Sequence, residues 1–542
     1  MTASVRQLKL FPSRAASSCP TASADRTGQA YAASCDDDHR KSHGLYLTPP
    51  VIAAFMADMI RPRDTMRLLD PAAGAGILLC AAVERLAQKP YPPRFIEISA
   101  YEIDSGLAKH LRDVLDQLTA WAASRGIQVR TTIRREDFIL AEAAALHGKP
   151  VHRFDAVVAN PPYFKIGKDD IRAVAARTVV HGQPNIYGLF MAVAAALLVP
   201  GGDLIFITPR SYASGPYFQK FRERFFSVVR PVQVHVFDSR RHTFSRDEVL
   251  QENVILHAVR DNNWFESGAD HSFTISSSTS AHDLEDRVKW PAALCDVIDP
   301  VNLAGAFRLP ASPEDEDILR RVDAWTGCLQ DYGLQISTGP VVPFRAIEFL
   351  LERPTRSTVP LLWMHHVRAM DVHWPNGTRK PQYIVPSAGS RKLLVPNRNY
   401  VLLRRFSAKE EQRRLTASQL LSNAIDFPTV GLENHLNYVH RPGGNLTEDE
   451  AWGLAALYNS TLLDGYFRCI NGNTQVSATE LRAMPLPPLE AIVTLGRCVK
   501  RETQPLAVID DLVLALTTEP AKKPYGTKKG KACRRSKKRR RS

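Results

Sequence analysis

The sequence predicts an α/β protein: one mixed, mostly parallel sheet with helices on both faces, followed by a second domain of α+β type. Three observations carry this. Apolar runs of strand length alternate with helical stretches from residue 45 to about residue 260. Successive runs end in a glycine turn, an acid or an amide, the positions at which doubly wound sheets build their sites. Past residue 260 the pattern gives way to Ser, Asp and Asn, notably Ser276-Ser277-Ser278-Thr279-Ser280, and then to mixed short elements.

Leu68 to Asp70 reads as a short buried strand, followed by the turn Pro71-Ala72-Ala73-Gly74-Ala75-Gly76 and a helix from Ile77 to Gln88. Asp70, Ala72, Gly74 and Gly76 thus form a first βα turn, where small residues let a nucleoside-bearing cofactor approach the backbone. The full Gly-x-Gly-x-x-Gly spacing is absent, which weakens a dinucleotide reading. A second strand, Phe95 to Tyr101, ends in Glu102-Ile103-Asp104, and a carboxylate there suits a ribose diol. A third, Gln128 to Ile133, leads to Glu136-Asp137-Phe138, an acid and a ring suited to an adenine amine and its face. Each acid taken alone is more simply a solvated loop charge; the ordered set is what informs.

The fourth strand, Phe154 to Ala159, runs directly into Asn160-Pro161-Pro162-Tyr163. An exocyclic amine on a base is a poor nucleophile because its lone pair is delocalised into the ring. Two acceptors that hold its N–H bonds favour a tetrahedral nitrogen. The Asn160 side-chain oxygen and the Pro161 carbonyl are such acceptors, Pro162 removes a competing donor, and Tyr163 offers a stacking face. The bland alternative is a strand closed by a Pro-rich turn. A helix from Asn185 to Val199, a strand to Pro209, a helix from Tyr217 to Val229 and strands Val232 to Phe237 and Asn253 to Val259 complete the alternation.

Read in order, Asp-Pro-Ala-Ala-Gly-Ala-Gly, Tyr-Glu-Ile-Asp, Asp-Phe and Asn-Pro-Pro-Tyr resemble the S-adenosylmethionine-dependent adenine-N6 DNA methyltransferases of restriction–modification systems, of the TaqI-like and PstI-like type. In that family a catalytic domain precedes a target-recognition domain. The resemblance implies a Rossmann-like class I methyltransferase sheet with S-adenosylmethionine as cofactor. Thr48, Asp70, Ala72, Gly74, Gly76, Glu102, Asp137, Phe138, Asn160 and Phe190 would bind the cofactor. Asn160, Pro161, Pro162 and Tyr163 would form the catalytic loop. Tyr163, with Phe244 of His242-Thr243-Phe244-Ser245, would stack on a flipped adenine. Ala73 and Ala75 stand where the family commonly has Cys and Ser, and both are small enough to keep the turn. Since the same tetrapeptide occurs in enzymes resembling this fold that methylate RNA guanine or a protein glutamine amide, the motif specifies the reaction better than the substrate; cytosine N4, whose amine poses nearly the same electronic problem, stays open beside adenine.

Composition bears on the partner. The 542 residues carry a net charge of +14, and the segment 521–542 holds twelve Lys and Arg with no acid, leaving the body close to neutral. Such a tail is too charged to pack and suits a phosphate backbone. A solubility tail or nuclear localisation are the plain alternatives for the tail itself, and it is the resemblance that implies double-stranded DNA as the macromolecular partner. The resemblance implies a separately encoded cognate restriction endonuclease and a bacterial cytoplasmic location. The eight cysteines lack any Cys-x-x-Cys pair, His365, His366 and His373 have no companions at metal spacing, and no apolar run of membrane-spanning length occurs. No metal or membrane role is expected. The anticipated organisation is a mobile arm at 1–44, a catalytic domain at 45–265, a linker at 266–312, a target-recognition domain at 313–520 and a disordered basic tail at 521–542.

Overall fold

A computed structural model describes residues 19–43, 47–147, 153–182, 184–237, 253–266, 271–407, 411–471, 475–500 and 504–517. The chain divides into two compact units: residues 1–319, 405–414 and 465–483 in one, and 320–404, 415–464 and 484–542 in the other.

The first unit runs α1 (Pro20–Ser34), α2 (Asp37–His43), α3 (Pro50–Asp58), β1 (Thr65–Asp70), α4 (Ile77–Ala87), β2 (Phe95–Tyr101), α5 (Ser105–Ala123), β3 (Gln128–Arg134), α6 (Phe138–Glu142) and β4 (Phe154–Ala159). It continues with α7 (Ile171–Ala175), α8 (Ile186–Leu197), β5 (Leu198–Pro209), α9 (Gln219–Phe226), β6 (Val229–Phe237), β7 (Asn253–Arg260), β8 (Ser272–Ser278) and β9 (Val288–Ala293). The nine strands form one sheet in the order β3-β2-β1-β4-β5-β7-β6-β8-β9. The first five are parallel, and β7 is antiparallel to both β5 and β6.

Strand alternation divides the core. Leu204 and Phe206 of β5 pack with α6, α8 and α9, whereas Ile205 and Ile207 pack with α3, α4 and α5 on the other face. Strands covered on both faces read as continuous apolar runs, which is why Phe154–Ala159 is buried throughout.

Three expectations are corrected. Residues 20–43 of the supposed arm are mostly helical, because the small residues Ala24, Gly28 and Ala32 recur every fourth position and bury one face of α1. Residues 272–293 are not a linker but two further strands. The Ser-rich run enters the core because Ser276 and Ser278 Oγ hydrogen-bond the two ring nitrogens of buried His235 at 2.9 and 3.0 Å. The helix foreseen from Tyr217 to Val229 is shorter, with a 3-10 turn before it and β6 starting at Val229.

Segments 405–414 and 465–483, assigned by sequence to the second domain, belong with the first unit. The Cys469 carbonyl accepts from Leu309 N–H at 3.0 Å, and the Arg210 guanidinium donates to the Arg468 carbonyl at 2.8 Å. Such pairings between distant segments leave no local signature.

The second unit holds a four-stranded antiparallel sheet in the order Gln335–Thr338, Leu436–His440, Tyr400–Arg404 and Ala417–Leu420, and a five-stranded sheet whose strands alternate with these along the chain. Tyr400 to Leu403 of the third of these strands are buried core. The helices Glu448–Tyr458 and Leu489–Lys500 cross at Gly453 and Gly496, where a Cβ would meet a facing carbonyl oxygen at 1.9 Å. His366 Nδ1 accepts from Trp363 N–H at 2.9 Å and its Nε2 lies 3.2 Å from Gln382 Oε1, so both nitrogens have structural partners. No described helix is long and apolar enough to cross a membrane.

Arg222 of α9 fixes the segment that follows β9. Its buried guanidinium donates to the carbonyls of Tyr212, Ser214, Gly215, Ala304 and Gly305, and burial lowers its pKa to about 10. Replacing it with Met leaves those acceptors unpaired. Arg222→Met is expected to cost about 3 kcal/mol or more in urea unfolding of the first unit; a loss under about 1 kcal/mol would show that water substitutes for the guanidinium.

Candidate active site

The parallel strands β1 to β4 end on the same side of the sheet, and the residues singled out from sequence gather there. β1 ends at Asp70, whose Oδ1 accepts from Ala72 N–H at 3.0 Å and so starts the turn. The turn needs a left-handed backbone at Gly74 (φ 55°) and Gly76 (φ 85°). The Ala73 N–H donates to the Tyr101 carbonyl at 2.9 Å, tying the turn to the end of β2.

Just beyond β2, Glu102 is buried and accepts from two backbone donors, Gly74 N–H at 2.9 Å and Asp104 N–H at 2.8 Å. Asp104 then caps α5 by accepting from Gly106 and Leu107 N–H. Burial opposes its ionisation, but hydrogen bonds from Tyr31, Leu107, His39 and Gly106 outweigh that and hold the carboxyl at about 2. Beyond β3, Asp137 caps α6 through Leu140 N–H at 3.0 Å. Phe138 stacks against Phe190 of α8 with ring centres 5.4 Å apart.

Beyond β4, the Asn160 amide is held from two sides. Its Nδ2 donates to Thr48 Oγ1 at 3.0 Å, and the Tyr163 hydroxyl lies on its Oδ1. That hydroxyl also sits 3.0 Å from the Ile207 carbonyl, and the Tyr163 ring is only 9% exposed. Pro161 is buried and Pro162 half-buried. Phe244 lies outside the described residues.

Two adjoining cavities occupy this end of the sheet. The larger, of about 230 Å³, is lined by Glu102, Asp137, Phe138, Asn160, Pro162 and Phe190, among others. The smaller, of about 50 Å³, is lined by Thr48, Asp70, the turn from Ala72 to Ala75, Asn160 and part of α1. Leu47, Ala72, Gly74 and Asn160 line both. Gly76 lines neither, its part being the turn itself.

The sequence reading missed several lining residues. Ile103 and Tyr101 flank the acid that it did single out. Arg172, paired with Asp170 at 2.7 Å and 3.9 Å from Asp137, follows the loop from Asn160 to Tyr163 without any motif of its own. The α1 residues Ala24, Asp25 and Gly28 carried one usable signal, the four-residue spacing of small side chains.

The donor set fits S-adenosylmethionine. Aromatic and apolar walls, a carboxylate after β2 and another after β3 suit an adenosine, and the buried Asp70 Oδ2 has no hydrogen-bond partner among the described residues. An unpaired acceptor of this kind is costly unless protonated or matched by a ligand. Burial, with Glu102 nearby, raises the Asp70 pKa to about 8.

Because the folded pKa lies above the unfolded one, the folded state retains a proton that the unfolded chain releases between about pH 4 and pH 8. Stability of the cofactor-free protein therefore falls as pH rises through that window, with a contribution of up to about 1.4 kcal/mol per pH unit from this group. Asp70→Asn is expected to flatten the decline in thermal stability between pH 5 and pH 8; an unchanged decline would assign it to other groups.

Comparison with known proteins adds the family. Residues 107–244 match the family model described as Eco57I restriction-modification methylase. The chain is 32% identical over 468 residues to the type II methyltransferase M.BsuBI of Bacillus subtilis, covering 84% of this chain and 90% of the relative. It is 31% identical over 495 residues to the type II methyltransferase M.PstI of Providencia stuartii, covering 90% of this chain and 96% of the relative. Among solved structures, the DrdV–DNA complex aligns with 88% of this chain and 59% of that chain, at 12% identity and a TM-score of 0.46. With two relatives above 30% identity that are matched over nearly their whole length, the chain belongs to the type II methyltransferases of restriction–modification systems.

Proposed function

We propose that the protein transfers a methyl group from S-adenosylmethionine to the N6 amine of an adenine flipped out of double-stranded DNA, at one recognition sequence. The observation that carries this reading is the Asn160 amide, held by Thr48 and Tyr163 at the place where the two cavities adjoin.

The bound cofactor supplies a methyl group made electrophilic by a sulfonium sulfur. Glu102 and Asp137 hold the ribose hydroxyls and the adenine amine of that cofactor, and Phe138 and Phe190 form the apolar wall beside its ring. Thr48 and the turn from Asp70 to Gly74 enclose the rest. A base inside a duplex cannot reach a site at the bottom of such a cleft, so the target must leave the stack at a cost of a few kcal/mol. Stacking on Pro162, Tyr163 and Phe244 offsets that cost.

The residues of the loop then act on the amine. Asn160 Oδ1 and the Pro161 carbonyl accept its two N–H bonds and keep the nitrogen lone pair directed at the methyl carbon. Thr48 on the Asn160 Nδ2 and the Tyr163 hydroxyl on its Oδ1 orient the amide for this. No strong base is required, because the methylated amine is acidic and its proton leaves afterwards to water. Asn160 contributes through orientation and electrostatics.

The second unit and the basic tail favour a DNA substrate and would supply sequence selection and salt-dependent affinity. In the cell the methyl mark would protect DNA against a separately encoded endonuclease of the same system.

Asn160→Ala is expected to lower kcat by roughly 10²-fold or more while leaving the cofactor Kd within about threefold. Loss of cofactor affinity in calorimetry would move Asn160 from the reaction to cofactor binding. Asp137→Ala is expected to raise the cofactor Kd about tenfold, and an unchanged Kd would remove that carboxylate from the site. The function itself is read by incubating the protein with methyl-labelled cofactor and unmodified DNA, followed by nucleoside analysis. Label in N6-methyladenine at one sequence is the expected result. Label in N4-methylcytosine would change the base, and label only in RNA or protein would overturn the substrate.

A further inference from the structure

Helix α1 lies against the glycine turn rather than at the margin of the fold. A Cβ on Gly28 would stand 3.0 Å from Leu47 Cδ2 and 3.4 Å from Ala75 Cβ, so only glycine permits this approach without a shift. The helix is fastened at both ends. Thr21 donates to Glu84 of α4 from its N–H and its hydroxyl, each at 2.8 Å. The Tyr31 hydroxyl reaches the Asp104 carboxylate at 2.8 Å. Ser23 Oγ donates to Gln117 of α5 at 2.9 Å.

This placement makes α1 a wall of the smaller cavity. Ala24, Asp25 and Gly28 line it, and among the described residues Asp70 is the other acid there. Gln29 Nε2 donates to one Asp25 oxygen, Oδ2, at 2.7 Å, which orients the carboxylate.

The two ends of S-adenosylmethionine differ in chemistry: one is a planar base on a ribose diol, the other an amino acid with an ammonium and a carboxylate. The larger cavity has the rings and acids that suit the nucleoside. The sulfonium joins the two ends, and Asn160, the residue assigned to the reacting amine, lines both cavities. The amino-acid end therefore belongs to the smaller one, where its ammonium needs an anionic partner.

We propose that α1 completes the cofactor site and that the Asp25 carboxylate binds the α-ammonium of the methionyl end. The assignment rests on the cofactor reading given under Proposed function and adds to it a ligand from a helix outside the sheet's own βα turns. Asp25 is thus a binding residue for the methyl donor, and the residues that fasten α1 are positioning residues.

Calorimetry on the full chain tests this with two probes that share adenosine and a neutral sulfur: S-adenosylhomocysteine, which carries the amino-acid end, and 5′-methylthioadenosine, which lacks it. The wild-type chain is expected to bind the first more tightly. Asp25→Asn is expected to weaken S-adenosylhomocysteine at least tenfold and to leave methylthioadenosine within twofold, with Asp25→Glu restoring most of the loss. Equal weakening of both probes would mean that the substitution only disturbs α1 and would overturn the assignment, as would no weakening of either. A wild-type chain that binds neither probe would overturn the cofactor reading and this assignment with it.

Discussion

Glu102 accepts one backbone N–H from the glycine turn after β1 and another from the start of α5, at Gly74 and Asp104, and the surrounding site depends on that bridge. Two βα connections that are independent in sequence become one rigid corner. Asp104, positioned by the bridge, caps α5 and receives Tyr31 and His39 from the N-terminal helices. A single carboxylate thereby sets the turn under the cofactor cavity, the start of a long helix and the anchorage of α1.

The same economy applies along the strand ends. Asp70, Asp104 and Asp137 each accept a backbone N–H from the residues that follow, because a chain leaving a parallel strand for a helix exposes donors with no intrahelical partner. Acids placed to satisfy those donors also face the carboxyl end of the sheet, where the cavities lie. Asp70 is the exception in degree: its second oxygen has no partner among the described residues, and burial keeps it protonated up to about pH 8. At the fourth strand the group is an amide rather than an acid. Held through both its oxygen and its nitrogen, it keeps one orientation without carrying charge.

Much of the first unit was legible because parallel strands covered on both faces are unbroken apolar runs of limited length. β2 and β4 begin and end at the residues that the sequence indicated, and β3 extends one residue further. What local pattern misjudged were elements whose burial depends on a distant partner. The serines of β8 resemble a linker until His235 is placed beside them, where burial lowers that ring's pKa to about 3 and leaves it neutral to pair with two hydroxyls. Helix α1 has little apolar surface to announce it, since its buried side chains are mostly alanine, glycine and threonine. Its hold comes from hydrogen bonds to Glu84, Gln117 and Asp104, 63 to 94 residues away in sequence.

By itself the sequence determined which chemistry the protein carries: strand ends bearing Asp70, Glu102, Asp137 and Asn160 are local patterns, set by the alternation of apolar runs with turn residues. Only the tertiary structure decided how these groups are oriented and what else joins them. Thr48 is 112 residues from Asn160 and yet holds its amide, and Asp25 lines one cavity together with the glycine turn from a helix that sequence alone treats as an arm. The physical reason is that hydrogen-bond direction and cavity shape depend on which elements share a face of the sheet. That is settled by packing and chain crossover, and no short stretch of residues encodes it.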